Sequence, residues 1–316
     1  MPTTTLRTTT LRAATVTALA ALALGCAPAL APTAVAATPL RVLFDNSHAE
    51  TAGNADWVIS TSQPDPLKQN AAPTTEKSWT GGISSWGVAL QRTGRYSLQT
   101  LPTGGRITYG DSSNTQDLST VDELVLPEPN VLLTTAEKTA IMRFVQAGGG
   151  LFMISDHDQS DRNNDGADSV DVLNALMTSN SVDSTDPFGF SIDHANIANE
   201  NPNRISAAAA SDPVVKGPFG TVTGTILRNG TTATLTPADN GAVRGEVYRT
   251  GSTAGGTTGA AFVTSTFGSG RVAFWGDSSP IDDGTGASGN TLYDGWNDTG
   301  ATDATLALNA TEWLAG

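Results

Sequence analysis

Residues 148–158 read GGGLFMISDHD, and this stretch indicates the fold class. Three glycines are typical of a helix end, and the four apolar residues after them are typical of a buried strand. A serine and three ionisable side chains follow directly, as expected where a strand leaves the core. A helix end, a buried strand and a polar strand end in this order are typical of helices alternating with parallel strands.

Similar units lie on both sides of this stretch. The other predicted strands are residues 40–44, 96–101, 121–126 and 271–275. Helices are predicted from a cap at Ser84 to Gly94, from Thr134 or Thr135 to Gly148, and over 170–177 and 301–314. Residues 214–267 hold short Val/Thr/Leu runs separated by Gly, which is typical of antiparallel strands. We therefore predict an α/β fold in a single domain over 38–316: a flavodoxin-like, doubly wound, mostly parallel sheet with an antiparallel β extension.

The charge balance excludes some classes of protein. The chain has 316 residues, with 17 Lys+Arg against 31 Asp+Glu and a net charge of -14. A stable nucleic-acid complex held by charge needs a basic face, so none is expected. The single cysteine, Cys26, excludes a disulfide scaffold and a thiolate zinc cluster.

The N-terminus has the pattern of an export signal. Arg7 and Arg12 precede an apolar run at 13–24, and residues 34–36 (AVA) fit a small-x-small cleavage site. We predict a secretory signal peptide over 1–37, cut after Ala36 or Ala37; the alternative is lipoprotein processing at Cys26. The expected product is a secreted, extracellular and thiol-free protein with no transmembrane segment, which excludes a Cys nucleophile.

Polar side chains follow four of the predicted strands, and in an open α/β sheet ligands bind beyond the carboxyl ends of the strands. Each of the three histidines also has an acidic neighbour in sequence, a pairing typical of metal ligands and acid–base groups. We predict a divalent metal (Mg, Mn or Zn) at this edge, with His48, Asp156 and His157 catalytic. The predicted metal ligands are Asp45, His48, Asp156, His157, Asp158 and Asp277. The predicted substrate-binding residues are Ser47, Asn54, Glu128, Asn130, His194 and Ser278.

A second ion site is indicated at residues 161–168. The sequence DRNNDG places Asp161, Asn163 and Asp165 at alternate positions before a glycine, as at the start of a calcium loop. Val172 stands where an EF-hand has Glu, so this is not an EF-hand, although Asp168 or Asp171 could supply the missing ligand. The alternative is an Asn/Asp-rich turn without an ion.

Several of these stretches carry a family resemblance. Residues 124–130, 135–145, 148–156 and 270–277 resemble class I glutamine amidotransferase-like domains. The branch they resemble lacks the glutaminase cysteine and includes gliding-motility auxiliary and intraflagellar-transport-like proteins. The opening at 44–57 resembles that of secreted bacterial proteins. The resemblance implies the fold rather than the chemistry: Asp156 or a neighbour lies where that family has its Cys, so glutamine hydrolysis through a thioester is excluded.

The function must therefore be inferred from the residues of the site and not from the fold. The sequence predicts a secreted hydrolase that depends on a divalent metal, with a phosphoesterase or nuclease as the leading class. The alternatives are a glycan-active hydrolase with a carboxylate acid/base pair and a non-catalytic calcium- and sugar-binding protein. The expected partner is an extracellular phosphoester or glycan substrate.

Overall fold

The computed structural model describes residue 1 and residues 37–48, 56–285 and 295–316. The predicted signal peptide and Asn54 lie outside these residues, apart from Met1 and Ala37. The helices are α1 (Ser84–Arg92), α2 (Thr135–Gln146), α3 (Ser169–Thr178) and α4 (Asp303–Ala315). The strands are β1 (Leu40–Asp45), β2 (Tyr96–Leu101), β3 (Glu123–Pro127), β4 (Gly150–Ile154), β5 (Phe190–Ile192), β6 (Arg204–Ile205), β7 (Lys216–Gly217), β8 (Gly220–Thr221), β9 (Ala233–Leu235), β10 (Arg244–Tyr248), β11 (Ala260–Phe267) and β12 (Gly270–Trp275).

The main sheet confirms the predicted fold class. Its strand order is β2-β1-β3-β4-β12-β11-β10-β6, and the first five strands are parallel. An order that begins 2-1-3-4 is that of flavodoxin-like sheets. Beyond β12 the strands pair antiparallel. The predicted β extension over 214–267 is thus confirmed as antiparallel.

Both faces of the parallel strands are buried, which is why these strands are continuous apolar runs rather than alternating ones. Leu151 and Met153 of β4 belong to one core cluster, which also includes residues of α2 and α3. Phe152 and Ile154 belong to the other cluster, with residues of α1 and α4. Helices therefore cover both faces of the sheet, as a doubly wound fold requires.

Helix α2 has the predicted ends. The Thr134 hydroxyl accepts a hydrogen bond from the Glu137 backbone N–H, and Glu137 in turn accepts one from the Thr134 N–H at 3.0 Å. This reciprocal pair is a capping box. After the helix, Gly148 has φ 122°, a conformation that favours glycine.

Several predicted boundaries differ by one or two residues in the structure, and two of these differences have a visible cause. Ser84 is the first residue of α1 rather than its cap, because its hydroxyl donates to Asp283 at 2.7 Å and Ile83 occupies the cap position. The strand predicted over 121–126 is Glu123–Pro127, since a short 3-10 helix at Leu118–Thr120 precedes it. Within the described residues, no helix has the length and apolar character needed to span a bilayer.

Glu123 gives the first testable prediction. It is completely buried at the start of β3, and neither carboxyl oxygen has a hydrogen-bond partner among the described residues. Burial raises its pKa well above the ordinary value of 4.5. We expect Glu123→Leu to stabilise the fold by about 1 kcal/mol or more, since it removes an unpartnered buried polar group.

The pH dependence of this gain follows from the direction of the pKa shift. The unfolded chain loses the Glu123 proton near its ordinary pKa, whereas the folded protein keeps it to higher pH. The contribution of Glu123 to the stability of the wild-type protein therefore falls as pH rises above the ordinary pKa of 4.5. Urea unfolding at about pH 5 and about pH 8 should show a larger gain for the variant at the higher pH. The exposed Glu76→Leu is the control, and equal gains from the two variants would contradict this account.

Candidate functional site

The parallel register brings the ends of β3, β4 and β12 to one edge of the sheet. Pro127 and Trp275 are both register partners of Ile154, the last residue of β4. The backbone N–H of Glu128 donates to Ile154 O, and that of Ser155 donates to Trp275 O, each at 2.9 Å. Glu128, Asp156 and Asp277 thus leave the sheet at adjacent positions, each within two residues of a strand end.

A buried carboxylate cluster forms at this edge. Asp156 Oδ2 accepts a 2.7 Å hydrogen bond from the Ser160 hydroxyl and lies 3.5 Å from Nη2 of Arg162. Ser278 donates to Glu128 at 2.5 Å. Asp277 accepts from the backbone N–H groups of Arg228 and Ser279. All three carboxylates are almost completely inaccessible to solvent.

Like charges in this buried environment favour a protonated state. Burial and then the charge of Glu128 raise the pKa of Asp156 to about 7. Burial and the charge of Asp156 also raise the pKa of Asp277 well above its ordinary value. Asp156 can therefore hold a proton near neutral pH, which an exposed carboxyl cannot do. Perturbed carboxyls of this kind are common at catalytic sites.

The backbone at Glu128 is strained. Its φ is 49°, in the left-handed region that a residue with a Cβ seldom adopts. Such conformations occur most often at functional sites. Here the unusual turn follows β3 directly and accompanies the hydrogen bond that Ser278 donates to Glu128.

A cavity of about 240 Å³ borders Asp156. Its lining residues are Trp57, Asp156, Arg162, Arg228, Asn229, Ser278 and Ser279. Asp156 is the only carboxylate among these described lining residues, and two of the others are arginines.

The antiparallel part of the chain supplies one wall of this cavity. Isolated bridges pair Ile197 with Gly230 and Glu200 with Leu227. A Cβ on Gly230 would lie 2.7 Å from Cβ of Asp277, so only glycine permits this approach. The close packing holds Arg228 and Asn229 beside the end of β12.

His48 has a different environment from the one that sequence reasoning predicted. Its Nδ1 lies 3.0 Å from Asp45 Oδ2, and its Nε2 lies 3.4 Å from Glu137 Oε2. Burial opposes protonation, but the hydrogen bonds to these two carboxylates outweigh it and raise the pKa of His48 to about 10. Against the effect of burial, the hydrogen bonds from His48 and Thr134 lower the pKa of Glu137 to about 2. Both ring nitrogens are thus engaged in a buried ionic cluster.

This cluster joins three parts of the fold. Ser47 donates its hydroxyl to Asp45 at 2.6 Å, and the His48 carbonyl accepts from the backbone of Asn130 at 2.7 Å. The cluster therefore ties the end of β1 to the loop after β3 and to the start of α2. These contacts indicate a structural role for Asp45, Ser47 and His48.

The other two histidines lie near the carboxylate cluster. His157 Nδ1 bonds to the Asp158 backbone carbonyl at 2.7 Å, and its Nε2 lies 3.8 Å from Asp156 Oδ2. His194 Nδ1 lies 2.8 Å from Asp158 Oδ1, and this hydrogen bond raises the pKa of His194. The His194 side chain is more than half exposed.

The predicted strand-end metal site is not assembled by these contacts. The predicted ligands divide between the Asp45–His48–Glu137 cluster, the cluster at Asp156 and Asp277, and the Asp158–His194 pair. In the described part of the chain, no group of three His, Cys, Asp or Glu side chains is arranged to hold a metal ion. Metal binding at this edge stays a prediction.

The loop at 161–166 is closed by its own hydrogen bonds. Asp161 accepts from the Asp165 and Gly166 backbone N–H groups at 3.2 and 2.8 Å, and Asn163 accepts from Asp165 at 3.0 Å. Asp168 caps α3 by accepting from the Asp171 N–H at 2.9 Å. These bonds form Asx turns, the alternative noted for the sequence.

Calcium binding at 161–168 also stays a prediction. We expect millimolar calcium to raise the melting temperature by binding the folded state, and Asp165→Ala to remove most of that rise. Thermal unfolding with calcium, and with chelator, measures both. A wild-type melting curve that does not respond to calcium would contradict the calcium site and favour the hydrogen-bonded turn without an ion.

Asn130 has an unusual environment among the predicted substrate-binding residues. It is fully buried, and neither atom of its side-chain amide has a hydrogen-bond partner among the described residues. Its backbone carbonyl accepts from Asn163 Nδ2 at 3.1 Å. Its position on the loop after β3 agrees with the predicted placement at the sheet edge.

Sequence reasoning missed several residues of the site. Arg162 lies inside the DRNNDG stretch, whose alternate Asp and Asn residues indicate ion ligands and not an arginine beside Asp156. Glu137 lies in the first turn of α2, and nothing in the sequence indicates that it also reaches His48. Arg228 and Asn229 belong to the antiparallel part and follow no predicted parallel strand.

The comparisons with known proteins concern the fold alone. No family model matches the chain, and no curated protein matches it. Among solved structures, it is similar to the mmIFT52 N-terminal domain, with a TM-score of 0.50 and 11% identity over 87% of this chain and 97% of that one. A cytoplasmic protein from Salmonella typhimurium aligns with a TM-score of 0.49 and 12% identity over 87% and 99% of the two chains. A ThuA-like protein from Parabacteroides merdae aligns with a TM-score of 0.46 and 12% identity over 88% and 90%.

Proposed function

We propose that this protein is a secreted hydrolase of phosphoesters in which Asp156 is the general acid–base. The observation that carries the proposal is the position of Asp156: a buried carboxyl that borders a cavity at the carboxyl edge of the sheet, beside Glu128 and Asp277. The secreted location rests on the N-terminal sequence pattern. Assignment to the amidotransferase-like branch without cysteine rests on the sequence resemblance and on the likeness to the mmIFT52 domain.

The chemistry requires two proton transfers, one from Asp156 and one back to it. Protonated Asp156 donates its proton to the leaving oxygen as the P–O ester bond breaks, so the alcohol leaves neutral. A water attacks phosphorus, and the proton that it loses restores Asp156. General acid–base transfer of this kind contributes about 10²- to 10⁴-fold in rate.

Charge at the cavity favours a phosphoester over a neutral substrate. The guanidinium groups of Arg162 and Arg228 suit phosphate oxygens, which they can bind in pairs. A divalent ion was the expected source of positive charge at this edge. Because the described residues form no group of three ligands, the proposal relies on the two arginines instead.

Glycan hydrolysis is the second candidate. Trp57 lines the same cavity, and aromatic side chains commonly pack against sugar rings. Glycosidases need two carboxyl groups that flank the scissile bond. Asp156 borders the cavity, whereas Glu128 is fully buried and bonded to Ser278, and this arrangement places glycans second.

The pH profile tests the proposal. We expect hydrolysis of p-nitrophenyl phosphate or bis(p-nitrophenyl) phosphate, with a rate that falls as pH rises above about 7 because Asp156 must be protonated to act as the acid. Matched p-nitrophenyl glycosides provide the glycan arm of the assay. Turnover of the glycosides alone would favour the second candidate, and a rate that rises steadily through this pH range would contradict the role of Asp156.

A further inference from the structure

The cavity beside Asp156 is lined by two arginines and, among the described lining residues, by one carboxylate. Its lining residues include two arginines, Arg162 and Arg228, and Asn229, whose side-chain amide can donate. Ser278 and Ser279 also line the cavity, but their hydroxyls are already donated to Glu128 and to the Arg228 backbone carbonyl. Among the described lining residues, Asp156 supplies the only carboxylate acceptor. A wall of this composition complements a ligand that is rich in acceptors.

Trp57 adds an independent observation. It lines the cavity and is only 3% exposed, yet its indole N–H has no hydrogen-bond acceptor among the described residues. A buried N–H normally finds a partner, because leaving it without one costs about 1–3 kcal/mol. A ligand oxygen in the cavity would supply the acceptor that the described residues do not.

Arg228 is held in place before any ligand arrives. Its Nη1 donates to the backbone carbonyls of Glu200 and Leu227, each at 2.9 Å, and its Nη2 lies 3.7 Å from Asp298. Its side chain is 14% exposed. A guanidinium fixed in this way loses little conformational freedom on binding, which favours affinity.

Arg162 is placed differently. It pairs with Asp156 at 3.5 Å, and its side chain is about one-third exposed. This partial exposure allows the guanidinium to contact a ligand that sits against Asp156. The two arginines thus provide one fixed and one more accessible positive group.

We propose that Trp57, Arg162 and Arg228 form a binding subsite for an oxyanion, which in the substrate is either a phosphate ester or the carboxylate of an acidic sugar. The inference rests on the proposed function, because it names the substrate group that the cavity binds while Asp156 transfers the proton. Charge-assisted hydrogen bonds from guanidinium and indole donors supply the recognition. Neutral sugars, whose hydroxyls must also donate, fit this wall less well.

Calorimetric titration of the purified protein with inorganic phosphate and with glucuronate tests the subsite directly. We expect saturable binding of at least one probe, and the tighter of the two identifies the source of the oxyanion. Arg162→Gln should weaken that binding by about tenfold or more, since it removes a charged donor. Trp57→Phe keeps an aromatic ring but loses the N–H and should weaken binding by a smaller factor.

A matched control and a spectroscopic signature complete the experiment. Arg106→Gln removes an exposed arginine that pairs loosely with Asp111 outside the cavity, and it should bind the probe as the wild type does. In ¹⁵N NMR spectra, the indole resonance that is absent from Trp57→Phe should shift when the probe is added. Should Arg162→Gln not fold, Arg162→Lys gives the same comparison with the charge kept and the paired donors lost.

Failure of the subsite differs from failure of the proposed function. No saturable binding of either probe, or equal affinities in the wild type, Arg162→Gln and Trp57→Phe, would overturn the subsite. Probe binding that responds to these variants in a protein without phosphoesterase or glycosidase activity would support the subsite and contradict the hydrolase.

Discussion

Asp156→Asn should reduce hydrolysis by about 10²-fold or more, because the amide can neither donate the proton to the leaving group nor accept it from water. The substitution keeps the size of the side chain and an oxygen for the Ser160 hydroxyl, which donates to Asp156 at 2.7 Å. It also removes a charge beside Asp277, whose pKa Asp156 helps to raise. The variant should therefore be at least as stable as the wild type. Initial rates and thermal unfolding of the same preparation measure the two effects.

Asp158→Asn is the matched control for this experiment. Asp158 lies two residues farther along the chain. It pairs with the exposed His194 and is not among the residues that line the cavity. Its substitution should change the rate by only a few-fold. A stable Asp156→Asn protein that keeps the wild-type rate would exclude Asp156 as the acid, and equal losses in both variants would favour a site shared by the whole 156–158 segment.

His48→Ala should lower the free energy of unfolding by about 3–5 kcal/mol, the usual cost of removing one partner from a buried ion pair. It leaves Asp45 and Glu137 facing each other without the imidazolium, and their side chains are only 1% and 11% exposed. With a catalytic His48, as the sequence predicts, this variant would lose activity and keep its fold. The observed contacts predict loss of stability instead. Urea unfolding measures the difference.

The pH dependence of the His48 contribution has a defined sign. The folded pKa of about 10 lies above the ordinary value of 6.5, so the contribution is complete below the ordinary value and is lost as pH rises through the folded one. His194→Ala is the control: its side chain is 58% exposed, and its loss should cost no more than about 0.5 kcal/mol. Equal costs for the two variants near neutral pH would contradict a buried ionic cluster at His48.

The fold was predictable because its strands and caps have strong local signals. The run at 151–154 is apolar throughout since both faces of β4 are covered, and Thr134 with Glu137 marks the start of α2 through bonds between near neighbours. The boundary of α1 was not predictable in the same way. Ser84 bonds to Asp283, which is 199 residues away, and no local pattern reports such a contact.

The site was predictable only to the level of the sheet edge. Parallel strands end at one edge, so the sequence places the predicted residues that follow them on this edge, and the register brings the ends of β3, β4 and β12 together there. The sequence pattern cannot distinguish a histidine that faces a cavity from one enclosed by carboxylates. For His48 the enclosing partner is Glu137, which lies on a different element. The donors that line the cavity come from segments whose pairing depends on the tertiary fold, as with Arg228.

The wall formed by residues 197–230 has an evolutionary consequence. The proposed acid belongs to the parallel sheet, whereas Arg228 and Asn229 belong to a separate segment that meets the sheet through Gly230. Asp156 and these two cavity residues are therefore encoded in different parts of the chain, whereas Arg162 follows Asp156 on the same loop. Replacement of this segment could give homologues new ligand preferences while the chemistry at Asp156 is conserved, provided that the position of Gly230 remains glycine.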